Sequence, residues 1–200
     1  MLATRSLTYT EVFSRVNIFL AILSGAVIAL ALVAQADHFG SVFIVIAIPV
    51  LLVVLFAGVV TVSRLNSLNR EDYRWLIGMN RLRNAYLQLH PELEPHFTTS
   101  PYDDLAGALQ TLGVDFGATT KPGSLVHLLN TLPGMLTGIV GAVAAAIVAL
   151  AGLAFGIPEW AVALVAVSGF ILTTALMIIS GRRSIRSGPV LESRFPTPRG

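Results

Sequence analysis

The stretch at residues 63–89, SRLNSLNREDYRWLIGMNRLRNAYLQL, is polar and rich in arginine and lies between two pairs of apolar runs. Counted in alternating steps of three and four residues, every position in this stretch but one is apolar or aromatic. This spacing is typical of the buried stripe of an amphipathic helix. These positions are Leu65, Leu68, Asp72, Trp75, Met79, Leu82, Tyr86 and Leu89. Pro91 predicts the end of this helix at His90, because proline disfavours helical backbone in the residue before it.

Three environments fit such a stripe. It packs on other helices of the same chain, it contacts another copy of the chain or a partner protein, or it lies on anionic lipid. The residues predicted to make the protein or lipid contact are Arg70, Arg74, Trp75, Met79, Arg81, Leu82 and Tyr86.

Composition places the chain in a membrane. Its 200 residues are 54% hydrophobic and 12% charged, whereas soluble domains are roughly 25% charged, and the mean hydropathy is +0.77. The chain contains no cysteine, which excludes disulfides and thiol chemistry. The basic residues flank apolar runs and form no long basic tract, so nucleic acid is not predicted as a partner.

Four apolar runs are long enough to cross a bilayer: residues 16–36, 41–62, 133–156 and 160–180. The connections within each pair are so short that each pair must form an antiparallel hairpin. The first run could also be read as a cleaved signal peptide, but it is too long and the tail before it is only mildly basic. The sequence therefore predicts an all-α polytopic membrane protein of two hairpins joined by a helical segment at residues 63–132.

Charge predicts the orientation. All 13 lysines and arginines lie in the tail at 1–15, in the middle segment or in the tail at 181–200. The short connections carry only Asp37 and Glu159. By the positive-inside rule, both termini and the middle segment are cytoplasmic. We expect the last tail to be disordered, with anionic lipid headgroups bound by Arg182, Arg183 and Arg186.

Two short helices are predicted in the middle segment. One begins at Ser100 and ends near residue 112, with Asp103 and Asp104 as favourable charges in its first turn rather than a catalytic pair. The other begins at Ser124 and lies at the membrane surface before the third apolar run.

The clearest intramembrane pattern is a series of small residues in the third apolar run. It consists of Gly134, Gly138, Gly141, Ala145, Gly152 and Gly156. Small residues let helices approach closely, so this face predicts helix packing, either within one chain or between copies around a pore. None of the four runs carries a charge, which disfavours proton-driven transport.

One further segment is a candidate metal-binding site. His90, Glu92, Glu94 and His96 are residue types that suit zinc or manganese. Two prolines in the same segment favour a solvated, extended linker instead. We find no catalytic motif and predict no cofactor.

The segment NREDYRWLIGMNRLRNAY at residues 69–86, set between two hairpins, resembles uncharacterised four-span integral membrane proteins of high-GC actinobacteria. The resemblance implies an inner-membrane location and carries no functional residue. The sequence predicts a non-enzymatic structural or accessory protein that acts through its amphipathic helix. The alternatives are a homo-oligomeric channel with the third span at the subunit interface, and a membrane enzyme with a metal at residues 90–96.

Overall fold

A computed structural model describes residues 2–112, 131–186 and 192–198. Every regular element within these ranges is helical. The elements are α1 (Leu2–Asp37), α2 (Ser41–Leu89), a 3₁₀ helix (Pro91–His96), α3 (Leu105–Thr111), α4 (Leu132–Ala154) and α5 (Glu159–Arg186). Helices α1, α2, α4 and α5 are each long and apolar enough to cross a membrane. The prediction of an all-α, multi-pass membrane protein is confirmed at this level.

Helices α1, α2 and α5 extend beyond the predicted apolar runs. Helix α1 begins at Leu2, so most of the predicted tail at 1–15 is helical. Helix α2 continues without a break for 49 residues and is therefore about 74 Å long at 1.5 Å per residue. A bilayer core about 30 Å thick needs only about 20 of them. The second apolar run and the amphipathic helix are thus one rod, whose polar half we call the arm (residues 64–89).

The side of the arm that is buried differs from the apolar stripe that the sequence predicts to be buried. Leu65 and Leu68 are buried as expected, but the buried residues then become Leu76, Ile77 and Asn80. Trp75, Leu82, Tyr86 and Leu89 are exposed by 38%, 48%, 56% and 75%. A stripe with a 3.5-residue repeat turns by about 20° per heptad on a straight helix of 3.6 residues per turn. Over the arm this drift carries the stripe away from the rest of the chain.

Helix α4 lies at the centre of the bundle. It packs against both α2 and α5, while α1 packs against α2. The main core joins α1, α2 and α4 through Val16, Phe19, Leu51, Val54, Val62, Leu65, Leu136, Val140 and Val143. The apolar window of α4 is 39% buried, against 6–22% for the other three long helices. The outer helices therefore present most of their apolar surface outward, as expected of helices surrounded by lipid.

The turn between α1 and α2 is closed by Asp37. Its carboxylate accepts a hydrogen bond of 2.7 Å from the backbone N–H of Phe43, in the first turn of α2. His38 and Phe39 adopt positive φ values of 49° and 61°. Residues other than glycine rarely enter this region, and among them asparagine, aspartate and histidine enter it most often. Gly156 takes the equivalent conformation after α4, with φ +69°.

The short helix after the arm begins later than predicted. Asp104, not Ser100, caps α3 by accepting a 2.8 Å hydrogen bond from the N–H of Gly107. Asp104 is extended, with φ −89° and ψ 178°, which leaves its side chain free to cap. The predicted second short helix falls at residues 124–132, almost all of it outside the described residues, and α4 begins with Thr131 as its cap.

Candidate functional site

Asn80 is the polar centre of the contact between the arm and α3. Its side chain is fully buried. The amide nitrogen donates to the carbonyl oxygens of Tyr102 at 2.7 Å and Gly107 at 3.4 Å. The amide oxygen accepts from Arg83 at 2.6 Å and from Thr111 at 3.2 Å. Because every polar atom of this buried amide has a partner, it holds α3 in one position on the arm.

Beside this contact, the chain's last residues bind to a buried carboxylate. Asp103 is 1% exposed. It accepts hydrogen bonds from the hydroxyl of Ser193 at 2.7 Å and from the backbone N–H groups of Arg194 at 2.9 Å and Phe195 at 2.8 Å. The N–H of Asp103 donates in turn to the carbonyl oxygen of Phe195 at 3.0 Å. Arg81, on the arm, donates to the Asp103 carboxylate at 2.8 Å and to the carbonyl oxygen of Glu192 at 2.6 Å.

Asp104 extends the same contact by one residue. Thr197 donates to its carboxylate through both the backbone N–H, at 3.0 Å, and the hydroxyl, at 2.7 Å. We call Arg81, Asp103, Asp104 and residues 192–198 the clasp. Residues 192–198 belong to the tail for which the sequence analysis expects disorder, and in the structure they have these defined hydrogen-bond partners.

The clasp favours ionised carboxylates. Burial opposes the charge on Asp103, but the N–H groups of Arg194 and Phe195, the Ser193 hydroxyl and Arg81 together lower its pKa well below the usual range. Burial opposes ionisation of Asp104 as well, and the donors Gly107 and Thr197 lower its pKa. Hydrogen bonds to the charged form dominate at both groups. Both carboxylates are anions at neutral pH, and the strength of the clasp depends on that charge.

Among the residues that the structure describes, the opposite side of the arm makes no comparable contact. Trp75, Leu82, Tyr86 and Leu89, which we call the outer face, lie on the side away from Ile77 and Asn80 at 100° per residue. Large apolar groups clustered on an exposed surface outside the core mark an interaction site. The predicted contact residues thus divide between two sides of one helix.

The polar members of the predicted contact set have separate roles. Arg81 is committed to the clasp. Arg70 donates to the hydroxyl of Ser67 at 3.1 Å, Arg74 is exposed and Met79 is partly buried. Arg182, Arg183 and Arg186 belong to the last residues of α5, and their side chains lie outside the described part of the structure.

An ionic contact connects α1 with the start of the arm. Glu11 accepts from Arg15 at 2.9 Å and from Arg64 at 3.1 Å. All three side chains are more than a third exposed, so the contact adds little stability. It aligns the first helix with the point where α2 becomes polar.

The small residues of α4 lie in different environments. Gly134 is buried and Ala145 is partly buried. A Cβ on Gly141 would lie 2.5 Å from the hydroxyl oxygen of Thr174, whereas a Cβ on Gly138 would meet nothing within 4 Å. The remaining two are near the turn into α5: Gly152 lies next to Val162, and Gly156 provides the positive φ.

A close approach of helices in the core involves a glycine that the sequence analysis missed. A Cβ on Gly58 of α2 would lie 2.5 Å from Val140 of α4 and 3.0 Å from Phe19 of α1. Gly58 stands alone among large apolar residues and forms no GxxxG motif. Its spacing of four from Val54 and Val62, both buried, was the available signal.

The metal candidate is not supported by the geometry. Residues 91–96 form a 3₁₀ helix rather than an extended linker. His90 and Glu92 contact each other, with Nδ1 2.8 Å from Oε1. Within the described ranges, no group of three or more histidine, aspartate, glutamate or cysteine side chains is arranged to hold a metal ion.

The chain matches no model of a known protein family, and comparisons with curated proteins and with solved structures find no match either. The function of this chain therefore has to be inferred from its own residues and their geometry.

Proposed function

We propose that this chain is a non-enzymatic accessory protein of the inner membrane, which presents the outer face of its arm to a partner membrane protein on the cytoplasmic side. The observation that carries the proposal is the exposure of Trp75, Leu82, Tyr86 and Leu89 on a helix whose other side is occupied by α3 and the clasp. A membrane protein is supported by the four apolar helices. The cytoplasmic placement is supported by the positive-inside rule, because lysine and arginine occur only in the tails and the middle segment and not in the short connections.

The direction of the arm argues against lipid as the occupant. The arm continues α2 without a break, so it points away from the bilayer that the apolar half of α2 would cross. Its far end lies roughly 39 Å beyond residue 63 at 1.5 Å per residue. A helix that lies on a lipid surface must run parallel to it. Tyr86 and Leu89 would then be out of reach of the headgroups.

Charge spacing argues against a second copy of the same chain. Two arms projecting from the same membrane would form a parallel coiled coil. Each heptad of a coiled coil has two core positions, and Trp75 and Leu82 would occupy one of them and Tyr86 the other. The flanking positions would pair Glu71 with Leu76 and Gly78 with Arg83. Neither pair is of opposite charge, although such pairs select partners in parallel coiled coils. The central position of α4 likewise disfavours a channel with α4 between subunits.

Site-specific photo-cross-linking in native membranes tests the proposal. A photoreactive phenylalanine at Tyr86 should form an adduct with one different protein, and the same group at Gln88 should not, because Gln88 is exposed on another side of the helix. Leu82→Glu should reduce the Tyr86 adduct at least tenfold by placing a charge in the contact. Gln88→Glu, with the same added charge, should leave it unchanged.

Two results would contradict the proposal. An adduct containing two copies of this chain would assign the outer face to self-association. Adducts with lipid alone, unaffected by Leu82→Glu, would assign it to the bilayer surface.

A further inference from the structure

A cleft of about 400 Å³ opens between α2 and α5. It lies where both helices change from apolar to polar sequence: Arg64 is the first charge after the apolar part of α2, and Arg182 the first after that of α5. In a bilayer this level is occupied by lipid headgroups.

The wall of the cleft likewise has an apolar side and a polar side. On the apolar side it is formed by Val59, Val62, Leu176 and Met177. On the polar side it is formed by Ser63, Asn66, Ser67, Arg70, Ser180 and Gly181. Among the described residues, the lining contains one cation, Arg70, and no carboxylate. An occupant with an apolar chain and an anionic head would match both halves.

Several polar groups at the mouth are available to such a head. Within the described residues, the side chains of Ser63, Asn66 and Ser180 make no hydrogen bond. The guanidinium of Arg70 is held over the mouth by its 3.1 Å bond to Ser67. A Cβ on Gly181 would lie 3.2 Å from the amide nitrogen of Asn66, so the glycine keeps the two helices close at the upper edge.

We infer that this cleft binds one anionic phospholipid, with the headgroup phosphate at Arg70, Asn66 and the serine hydroxyls and an acyl chain along Val59 and Met177. Arginine together with hydroxyl and amide donors is a common phosphate-binding set. The site differs from a general attraction of the basic tail to the membrane, because it has a defined wall formed by α2 and α5. The inference rests on the proposed membrane placement but not on partner docking by the arm, which lies on another face of α2.

Native mass spectrometry of the full chain tests this inference. The protein would be released from nanodiscs of equal phosphatidylglycerol and phosphatidylcholine with identical acyl chains, and the retained lipids counted. We expect one phosphatidylglycerol to be retained in preference. Arg70→Gln should reduce its retention about fivefold, the effect expected for one arginine near an anionic membrane surface. Arg74→Gln removes the same charge one turn further along the arm, outside the cleft, and should change little.

Ser180→Trp provides a second, steric test, because it fills the cleft from α5 without altering charge. It should reduce retention as much as Arg70→Gln, with thermal stability in phosphatidylcholine nanodiscs unchanged for both variants. Equal retention of the two lipids, or equal effects of Arg70→Gln and Arg74→Gln, would overturn the inference. Displacement of the retained lipid by millimolar inorganic phosphate would also overturn it, because the site would then bind a free anion.

Discussion

Single residues determine whether the C-terminal segment is attached. Asp103 receives four side-chain or backbone donors from Arg81 and residues 193–195. Each donor offsets part of the cost of burying the charge, so the loss of any one of them weakens the contact. The attachment of residues 192–198 therefore depends strongly on the ionised Asp103 carboxylate.

The clasp should open in acid. The pKa of Asp103 is lowered in the closed state, while in the open state it returns to about 3.9. A group with a lowered pKa stabilises the closed state above its ordinary pKa and loses that effect as the pH falls towards the lowered value. We expect residues 192–198 to stay bound from neutral pH to about 5 and to be released progressively below about 4. The measurement is the ¹⁹F NMR shift of a fluorinated phenylalanine placed at Phe195 alone.

Asp103→Asn should release the segment at neutral pH, with the closed-to-open ratio lowered more than tenfold, as expected when bonds to a charged group of about 1.5–3 kcal/mol are lost. Glu92→Gln is the control, since Glu92 is an exposed carboxylate that contacts His90 and lies outside the clasp. An acid transition that persists unchanged in Asp103→Asn would assign the pH dependence to another group.

At the scale of elements, the way in which α2 meets α4 decides how the bundle packs. Packing in lipid depends on close backbone approach, since apolar side chains gain nothing by leaving lipid for protein. Gly58 provides that approach between α2 and α4, and Gly141 provides it between α4 and α5, each with a neighbouring atom where a Cβ would stand. Gly138, although it belongs to a GxxxG motif, faces open space.

Two alanine substitutions separate these glycines. Gly58→Ala should destabilise the bundle by about 1–3 kcal/mol, the usual cost of overpacking, because its Cβ would meet Val140 and Phe19. Gly138→Ala should be neutral or stabilising by up to about 1 kcal/mol, since alanine favours the helix and nothing obstructs it. Unfolding of both variants in the same detergent micelles provides the comparison, and an equal loss from both would contradict this account of the packing.

At the scale of the whole molecule, the arm and the two short turns lie at opposite ends of the long helices. Residues 38–40 and 155–158 join the helices at one end, and the arm, α3 and the clasp lie at the other. If the chain spans the membrane as proposed, the turns face outward and the arm faces the cytoplasm.

The absence of native cysteine makes this topology measurable. In intact cells, a membrane-impermeant thiol reagent should label His38→Cys, exposed in the first turn, and Glu159→Cys, exposed where α5 begins after the second turn. Gln88→Cys, exposed on the arm, should be labelled only after the membrane is permeabilised. Labelling of all three from the same side would show that the proposed threading is wrong.

The amino-acid sequence alone is enough to predict the all-α fold and four helices that are long and apolar enough to cross a membrane. Length and apolar composition are local properties, and each of the four long helices contains its own signal. The sequence also predicted a helix through residues 64–89, although not that it would continue α2 as one rod. The roles of Asp103 and Asp104 were read only as helix-terminal charges, which holds for Asp104 alone.

Which side of the arm is covered, and by which residues, follows from the tertiary structure and not from the local sequence. The heptad pattern points to a single apolar stripe, but drift along a straight helix turns that stripe outward, and the buried side is chosen by where α3 and residues 192–198 bind. Asp103 and Ser193 are separated by 90 residues. No local pattern encodes a contact at that separation, because it depends on three helices bringing both segments to the same place.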